Sequence, residues 1–229
     1  MCHKFRCLVD ELTAEAIKVQ AVNTISIAAG GKLIGHNTDL GGFSCALKQL
    51  LPERIPQRNT DVAMVLGAGG AARAAVWALI EIGFQSLVIV ARRIEQAEGL
   101  IEQIWRQAPK LRGQVDICSR AIADQHLLPV LLVNCTPAFS ESLGLEELIG
   151  NMFRQRSLAE QSAWFYDMVY LPSRAPTPLM NCIAQIAPNV HSQDGLQMLI
   201  EQAALAFAYW TGRPVPVEVM LKAIDIVAK

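Results

Sequence analysis

The sequence has no excess of charge of either sign. Its 20 lysines and arginines face 21 carboxylates, for a formal net charge of −1. That balance argues against the basic stripe of a nucleic-acid groove and the polybasic patch of a membrane anchor. Long hydrophobic runs are also missing. Stretches such as Leu127 to Val133 fall far short of the roughly 20 residues that cross a bilayer. No charged leader followed by an apolar region and a small-residue cleavage site opens the chain. Metal-ligand spacing is lacking too: Cys2, Cys7, Cys45, Cys118, Cys135 and Cys182 are scattered, with no CxxC pair and no histidine at a suitable distance. They read as reduced thiols, which fits a cytoplasmic protein, and no metal is expected. Internal repeats and low-complexity tracts are absent.

What is present is apolar. Hydrophobic residues make up 52% of the 229, enough to build a sizeable core in one large α/β domain or two small ones. The segment Leu8 to Val19 reads as a short helix in which Thr13 is a break or cap. Ala21 to Ile27 is β-like, and Ala29-Gly30-Gly31 turns the chain back into Lys32 to His36 as a hairpin, with glycine where positive φ is needed. Asp39 can cap a helix through Phe43, Leu47 and Leu50, and Pro52 to Thr60 reads as a linker.

From Asp61 the pattern changes. Val62 to Leu66 is a continuous apolar run, the mark of a strand buried on both faces of a parallel sheet. A helix through Ala74 to Ile82 follows, then a strand at Ser86 to Val90 and a helix at Ile94 to Gln107. Three further strands are expected at Val115 to Cys118, Pro129 to Val133 and Trp164 to Val169, with a helix from about Thr177 to Ile186. This alternation predicts an α/β, Rossmann-type, doubly wound parallel sheet. Asp194 to Gln197 has the D-x-x-Q form of a capping box for a helix reaching about Trp210, and a last short helix starts at Val217.

The turn after the first apolar strand carries the chemistry. Gly67, Gly69 and Ala72 satisfy G-x-G-x-x-[GA] within Gly67-Ala68-Gly69-Gly70-Ala71-Ala72. Gly67 permits the tight turn, Gly69 lets the backbone approach a pyrophosphate, and small residues at Gly70 and Ala71 bring the helix N-terminus close to the phosphates. A plain strand-to-helix turn is the alternative, but the placement between a buried strand and a helix favours a nucleotide. An NAD site wants a carboxylate at the end of the second strand, whereas this chain has Arg92-Arg93 and no acid before Glu95. Two guanidiniums suit a 2′-phosphate, so NADP is expected over NAD.

Several segments resemble the shikimate/quinate dehydrogenase family in order and spacing. They are Ala21 to Thr24, Gly35 to Asp39, Gly67 to Arg73, Asn134 to Pro137, Tyr166 to Tyr170, Thr177 to Leu179 and Asp194 to Ala203. The resemblance implies reversible NADP-dependent oxidation of the 3-hydroxyl of shikimate, or quinate, in the chorismate pathway of aromatic amino acid biosynthesis. It implies that Asn23, Tyr170 and Gln202 contact the substrate and that Asp39 is half of a Lys–Asp catalytic pair. Arg92 would hold the adenosine phosphate, with Arg93 either beside it or a solvated surface residue, and Gly67 to Ala71, Thr136, Pro137, Met168, Gly195 and Met198 would line the cofactor cleft. Bland roles compete at single positions: Asn23 as a strand-end partner, Asp39 as a helix cap, Met198 as core.

The resemblance also has gaps. The family's leading strands and their Ser-x-Ser carboxylate motif have no counterpart ahead of Met1, and Ala138-Phe139-Ser140 stands where a Gly-Met pair is usual. Counting back from Asp10 without gaps puts the catalytic lysine position near Cys2, and Lys4 fills it only with a two-residue deletion. The expectation is an N-terminally truncated member, in which 1–38 and 195–229 form an incomplete α/β substrate domain. Residues 39–194 then form the NADP-binding domain, with 39–60 as helix and linker. A homodimer or a larger parent chain would cover the exposed edge. The competing reading is an impaired pseudoenzyme or fragment that binds NADP or a metabolite, with a regulatory role.

Overall fold

The computed structural model describes residues 8–51, 56, 61–118, 129–136, 149–150, 152–154, 162–214 and 217–227. Lys4, Pro137 and Ala138 to Ser140 lie outside them.

Two sheets organise the described residues. The first has three short strands, β1 (Glu11–Leu12), β2 (Thr24–Ile27) and β3 (Leu33–His36), in the order β1-β3-β2. β2 and β3 form the expected antiparallel hairpin, and Gly30 and Gly31 take φ of +85° and +83° in its turn. Leu8 to Val19 is not one helix. Glu11 and Leu12 pair in parallel with Ile34 and Gly35, and Thr13 then caps α1 (Ala14–Val19) by accepting the N–H of Ala16. The edge of β3 offers ladder partners that local sequence cannot reveal, so pairing overrides helical propensity there.

The second sheet has six parallel strands. They are β4 (Val62–Leu66), β5 (Ser86–Val90), β6 (Val115–Cys118), β7 (Leu131–Asn134), β8 (Ala163–Asp167) and β9 (Val190–Gln193). The order β6-β5-β4-β7-β8-β9 is the doubly wound Rossmann arrangement, whose direction of winding reverses between β4 and β7. Alternation along each strand feeds two cores. Ala63, Val65, Leu87, Ile89, Leu131 and Val133 face one core, while Met64, Leu66, Val88, Val90 and Leu132 face the other. Burial on both faces is why these strands read as unbroken apolar runs. β9 is a strand that the sequence does not announce. Its Val-His-Ser-Gln lies at the sheet edge, only partly buried, and so has no apolar signature.

Helices cover the sheet. α2 (Asp39–Leu50), α3 (Gly70–Ile82) and α4 (Ile94–Gln107) contribute to the first core. α5 (Pro178–Ile186) contributes Leu179 and Ile183 to the second. Gly83, at φ +112°, ends α3. α6 (Leu196–Thr211) lies against α2 and reaches the small sheet, where the Tyr209 ring packs on His36 at 3.8 Å between centroids, tilted by 34°, and the indole N–H of Trp210 donates to the Ile25 carbonyl at 2.9 Å. α7 (Val217–Val227) packs on α6. α1 is tied to α3 by the Lys18–Glu81 ion pair at 2.6 Å.

Candidate functional site

The glycine turn sits where the winding reverses. Gly67 follows β4 at φ +109°, and its N–H donates to the Val90 carbonyl at 2.8 Å, tying the end of β4 to that of β5. A Cβ on Gly67 would meet the Cys135 carbonyl and the Thr136 methyl at 3.4 and 3.5 Å. Gly69 differs. Its φ is an ordinary −81°, and a Cβ there would face open space. It is the N-cap of α3, offers no side-chain cap, and no acidic residue occupies the first turn. The start of α3 thus has its positive pole and orphan N–H groups with no acid of its own first turn to meet them, which fits a pyrophosphate. Ala68 is buried, while Gly70 and Ala71 open the helix with no side chain large enough to block that approach.

Arg92 and Arg93 follow β5 and are exposed. They lie two and three residues beyond Val90, whose carbonyl is bonded to the Gly67 N–H. The first carboxylate after them, Glu95, is in the first turn of α4, where it complements the helix dipole.

On the other side of β4, β7 ends in Asn134 and Thr136 follows it. The Asn134 side-chain oxygen accepts from the Thr136 N–H at 3.1 Å and from its hydroxyl at 2.6 Å. The Asn134 amide donates to Asp167 at 2.9 Å, and both residues are wholly buried. Asp167 also accepts from the Val169 N–H at 3.1 Å and the Thr177 hydroxyl at 2.7 Å. Burial raises the carboxyl of Asp167, and these three donors pull it back down.

The small sheet and α2 bring Asn23 and Asp39 together. The Asn23 amide donates to Asp39 Oδ1 at 2.7 Å and to Thr38 Oγ1 at 3.0 Å, and its oxygen accepts from the Thr38 N–H at 2.9 Å. Asp39 is therefore not the cap that its place in the sequence suggests. Asn37 accepts the Leu40 N–H at 3.1 Å, and Asp39 occupies the first helical position with its carboxylate turned toward Asn23. Burial raises the carboxyl of Asp39 above its ordinary value, and the Asn23 bond opposes that rise. Asp39 is near enough to the end of β7 that, after burial itself and Asp167, its charge helps push up the Cys135 thiol.

Met198 and Gln202 share the face of α6 that abuts α2. A Cβ on Gly42 would lie 2.9 Å from the Gln202 nitrogen and 3.0 Å from the Met198 carbonyl. A Cβ on Gly41 would lie 2.7 Å from Leu205. These two glycines draw the helices together, a role that sequence reading does not assign to them. The available signal is a Gly-Gly pair inside a helix, each glycine costing about 1 kcal/mol relative to alanine.

At its other end, α6 is seated by Gly195. Its N–H donates to the Val169 carbonyl at 3.1 Å, and a Cβ would collide with the Met168 carbonyl oxygen. Asp194 accepts the Leu196 N–H at 3.1 Å, but Gln197 turns to Glu201 at 2.9 Å, so the capping box is only half made. Tyr170 is 40% exposed and lines a cavity of about 400 Å³ with Leu171, Pro172, Arg174, Leu196 and Leu199. Met168 is half-buried between Asp167 and the start of α6. Among the described residues, no group of three or more His, Cys, Asp or Glu side chains could hold a metal ion, and no helix is long and apolar enough to cross a membrane.

Known proteins share this arrangement. The family model for the shikimate 5′-dehydrogenase C-terminal domain matches residues 195–224. A shikimate dehydrogenase (NADP(+)) of Magnetococcus marinus is 38% identical over 219 residues, covering 93% of this chain and 70% of that protein. The shikimate 5-dehydrogenase of Thermus thermophilus, solved in complex with NADP(H) and shikimate, superposes with a TM-score of 0.73 at 30% identity, over 100% of this chain and 76% of that one. A quinate dehydrogenase from Corynebacterium glutamicum, in complex with NAD, gives 0.73 at 26% identity, over 99% and 74%. With that identity, that coverage and one Rossmann core in common, the chain belongs to the shikimate dehydrogenase family.

Proposed function

We propose that the chain is an NADP-dependent oxidoreductase that reversibly converts the 3-hydroxyl of shikimate, or of quinate, to the 3-dehydro acid in the chorismate pathway. The observation that carries this reading is an open glycine turn at the switch point of the sheet, with Arg92 and Arg93 beyond one flanking strand and the bonded Asn23–Asp39 pair toward the other. In it, the 2′-phosphate lies at Arg92 and Arg93, the pyrophosphate over Gly67 to Ala71, and the cleft wall is Thr136, Pro137, Met168, Gly195 and Met198. Bound NADP supplies the hydride acceptor. The relatives named for NADP(+) and for complexes with NADP(H) and shikimate support both ligand assignments.

This chain's own part is the proton. Oxidising a carbinol takes a proton from its oxygen, so a basic group must lie within hydrogen-bond reach. Asp39 fills that role, oriented by Asn23, with Gln202 and Tyr170 holding the rest of the ring. The lysine of the pair is assigned to Lys4 by resemblance alone. The same proposal divides the chain into a substrate side, 1–38 with 195–229, and a dinucleotide side, 39–194. It also places the protein in the cytoplasm.

The test is NADPH formation by the purified chain, given NADP⁺ with shikimate and then with quinate. Turnover with either establishes the dehydrogenase. Tight NADP binding by a folded sample that turns over neither leaves a nucleotide-binding relative without catalysis.

A further inference from the structure

The motif Tyr166 to Tyr170 contains a carboxylate to which the proposed reaction gives no task. Asp167 is wholly buried at the C-terminal end of β8, and its hydrogen-bond partners are an amide, a backbone N–H and a hydroxyl rather than a cation. A charge-capable group in such a place is costly unless its oxygens are engaged. Among the described residues its three donors come from three elements, and none is a cation: Asn134 at the end of β7, Val169 in its own loop and Thr177 at the start of α5.

Two paths lead outward from it. Through Asn134, Asp167 fixes Thr136, whose N–H and hydroxyl are both held by the Asn134 oxygen and whose methyl stands beside the Gly67 turn. Through Val169, whose carbonyl accepts the Gly195 N–H, it fixes the start of α6 and so the register of Met198 and Gln202. Both paths lie on the β7–β8 side of β4, opposite the β5 side that carries Arg92. A dinucleotide laid across the turn with its 2′-phosphate at Arg92 must place its nicotinamide on that β7–β8 side.

We infer that Asp167 is the positioning residue for the nicotinamide half of the cleft, aligning Thr136 and the start of α6 with each other without touching cofactor or substrate. The inference rests on the NADP reading above. It separates the two halves of the cofactor, and that separation makes it testable.

The experiment compares the affinities of the full chain for NADPH and for 2′-phospho-ADP-ribose, which lacks the nicotinamide. Asp167→Ala removes both paths. NADPH should weaken by about tenfold or more, the scale of a lost hydrogen bond to a charged group, while 2′-phospho-ADP-ribose holds its wild-type affinity. Asp167→Asn can keep an oxygen toward Asn134 and Val169, and should restore most of the NADPH affinity. Should Asp167→Ala fail to fold, Asn134→Ala cuts the path to Thr136 alone and should show the same selective loss. Equal losses for the two compounds, or none, would overturn the inference, since a general loosening of the sheet weakens both alike. A wild-type chain that binds NADPH and 2′-phospho-ADP-ribose equally well shows that the nicotinamide half makes no contact worth positioning, and overturns it too. A wild-type chain that binds neither compound overturns the dinucleotide reading and the inference with it.

Discussion

The Asn23 amide and the Asp39 carboxylate meet at 2.7 Å, across the gap between the small sheet and the first turn of α2. The same amide donates to Thr38 Oγ1 and accepts the Thr38 N–H, so both its hydrogens are engaged and its orientation is set. Burial raises Asp39, and Asn23 is the neighbour that opposes the rise. A carboxyl raised in the folded state contributes stability below its unfolded pKa and loses that contribution as pH climbs through the folded one. Asn23→Ala should therefore push the carboxyl of Asp39 still higher and move that loss to higher pH. If Asp39 must be ionised to accept a proton, the acidic limb of the rate profile moves the same way. NMR titration of the Asp39 carboxyl checks this; an unchanged or lowered midpoint contradicts it.

The two glycines of the turn should fail differently. Gly67→Ala places a Cβ on a residue at φ +109°, a conformation costing a side chain about 1–3 kcal/mol, and should lower the melting temperature. Gly69→Ala meets open space at an ordinary φ and should leave the melting temperature nearly unchanged. Its Cβ would instead occupy the approach to the phosphates, so NADPH affinity should fall. Calorimetry and a binding titration on the same pair of variants separate the effects, and a strongly destabilised Gly69→Ala would contradict the assignment.

Replacing Arg92 and Arg93 together by alanine should weaken NADP far more than NAD. The guanidiniums match a 2′-phosphate that NAD lacks. Both side chains are exposed, so the fold should tolerate the change. Equal losses for the two cofactors would remove these residues from the phosphate site.

Gly42 and Gly195 set where α6 sits. A Cβ on Gly42 presses on the backbone nitrogen of Gln202, and one on Gly195 collides with the Met168 carbonyl, atoms that cannot swing aside. Gly42→Ala should cost about 1–3 kcal/mol, as overpacking does. Gly195→Ala should cost at least as much. Both should also raise the KM for shikimate, because Met198 and Gln202 ride on the displaced helix. Denaturant unfolding beside steady-state kinetics provides the check.

The parallel sheet is legible in residue order alone, because strands buried on both faces must be apolar throughout, as β4, β5 and β7 are. So is the glycine turn, and with Arg92 and Arg93 the expected choice of nucleotide, because those roles depend on residue type at fixed local offsets. The edge strand β9 is not legible, since its half-exposed Val-His-Ser-Gln carries no period. Nor is β1, whose two residues are strand only because β3 lies beside them. Local sequence leaves Asp39 open between cap and acid, and a partner 16 positions away turns its carboxylate, through a hydrogen bond that no local pattern encodes. The network around Asp167 is equally hidden, because it joins residues 33 and 10 positions apart. Local chemistry writes the elements and the turn; the close approach of distant backbones, at Gly42 and Gly195 above all, settles which side chains share the cleft.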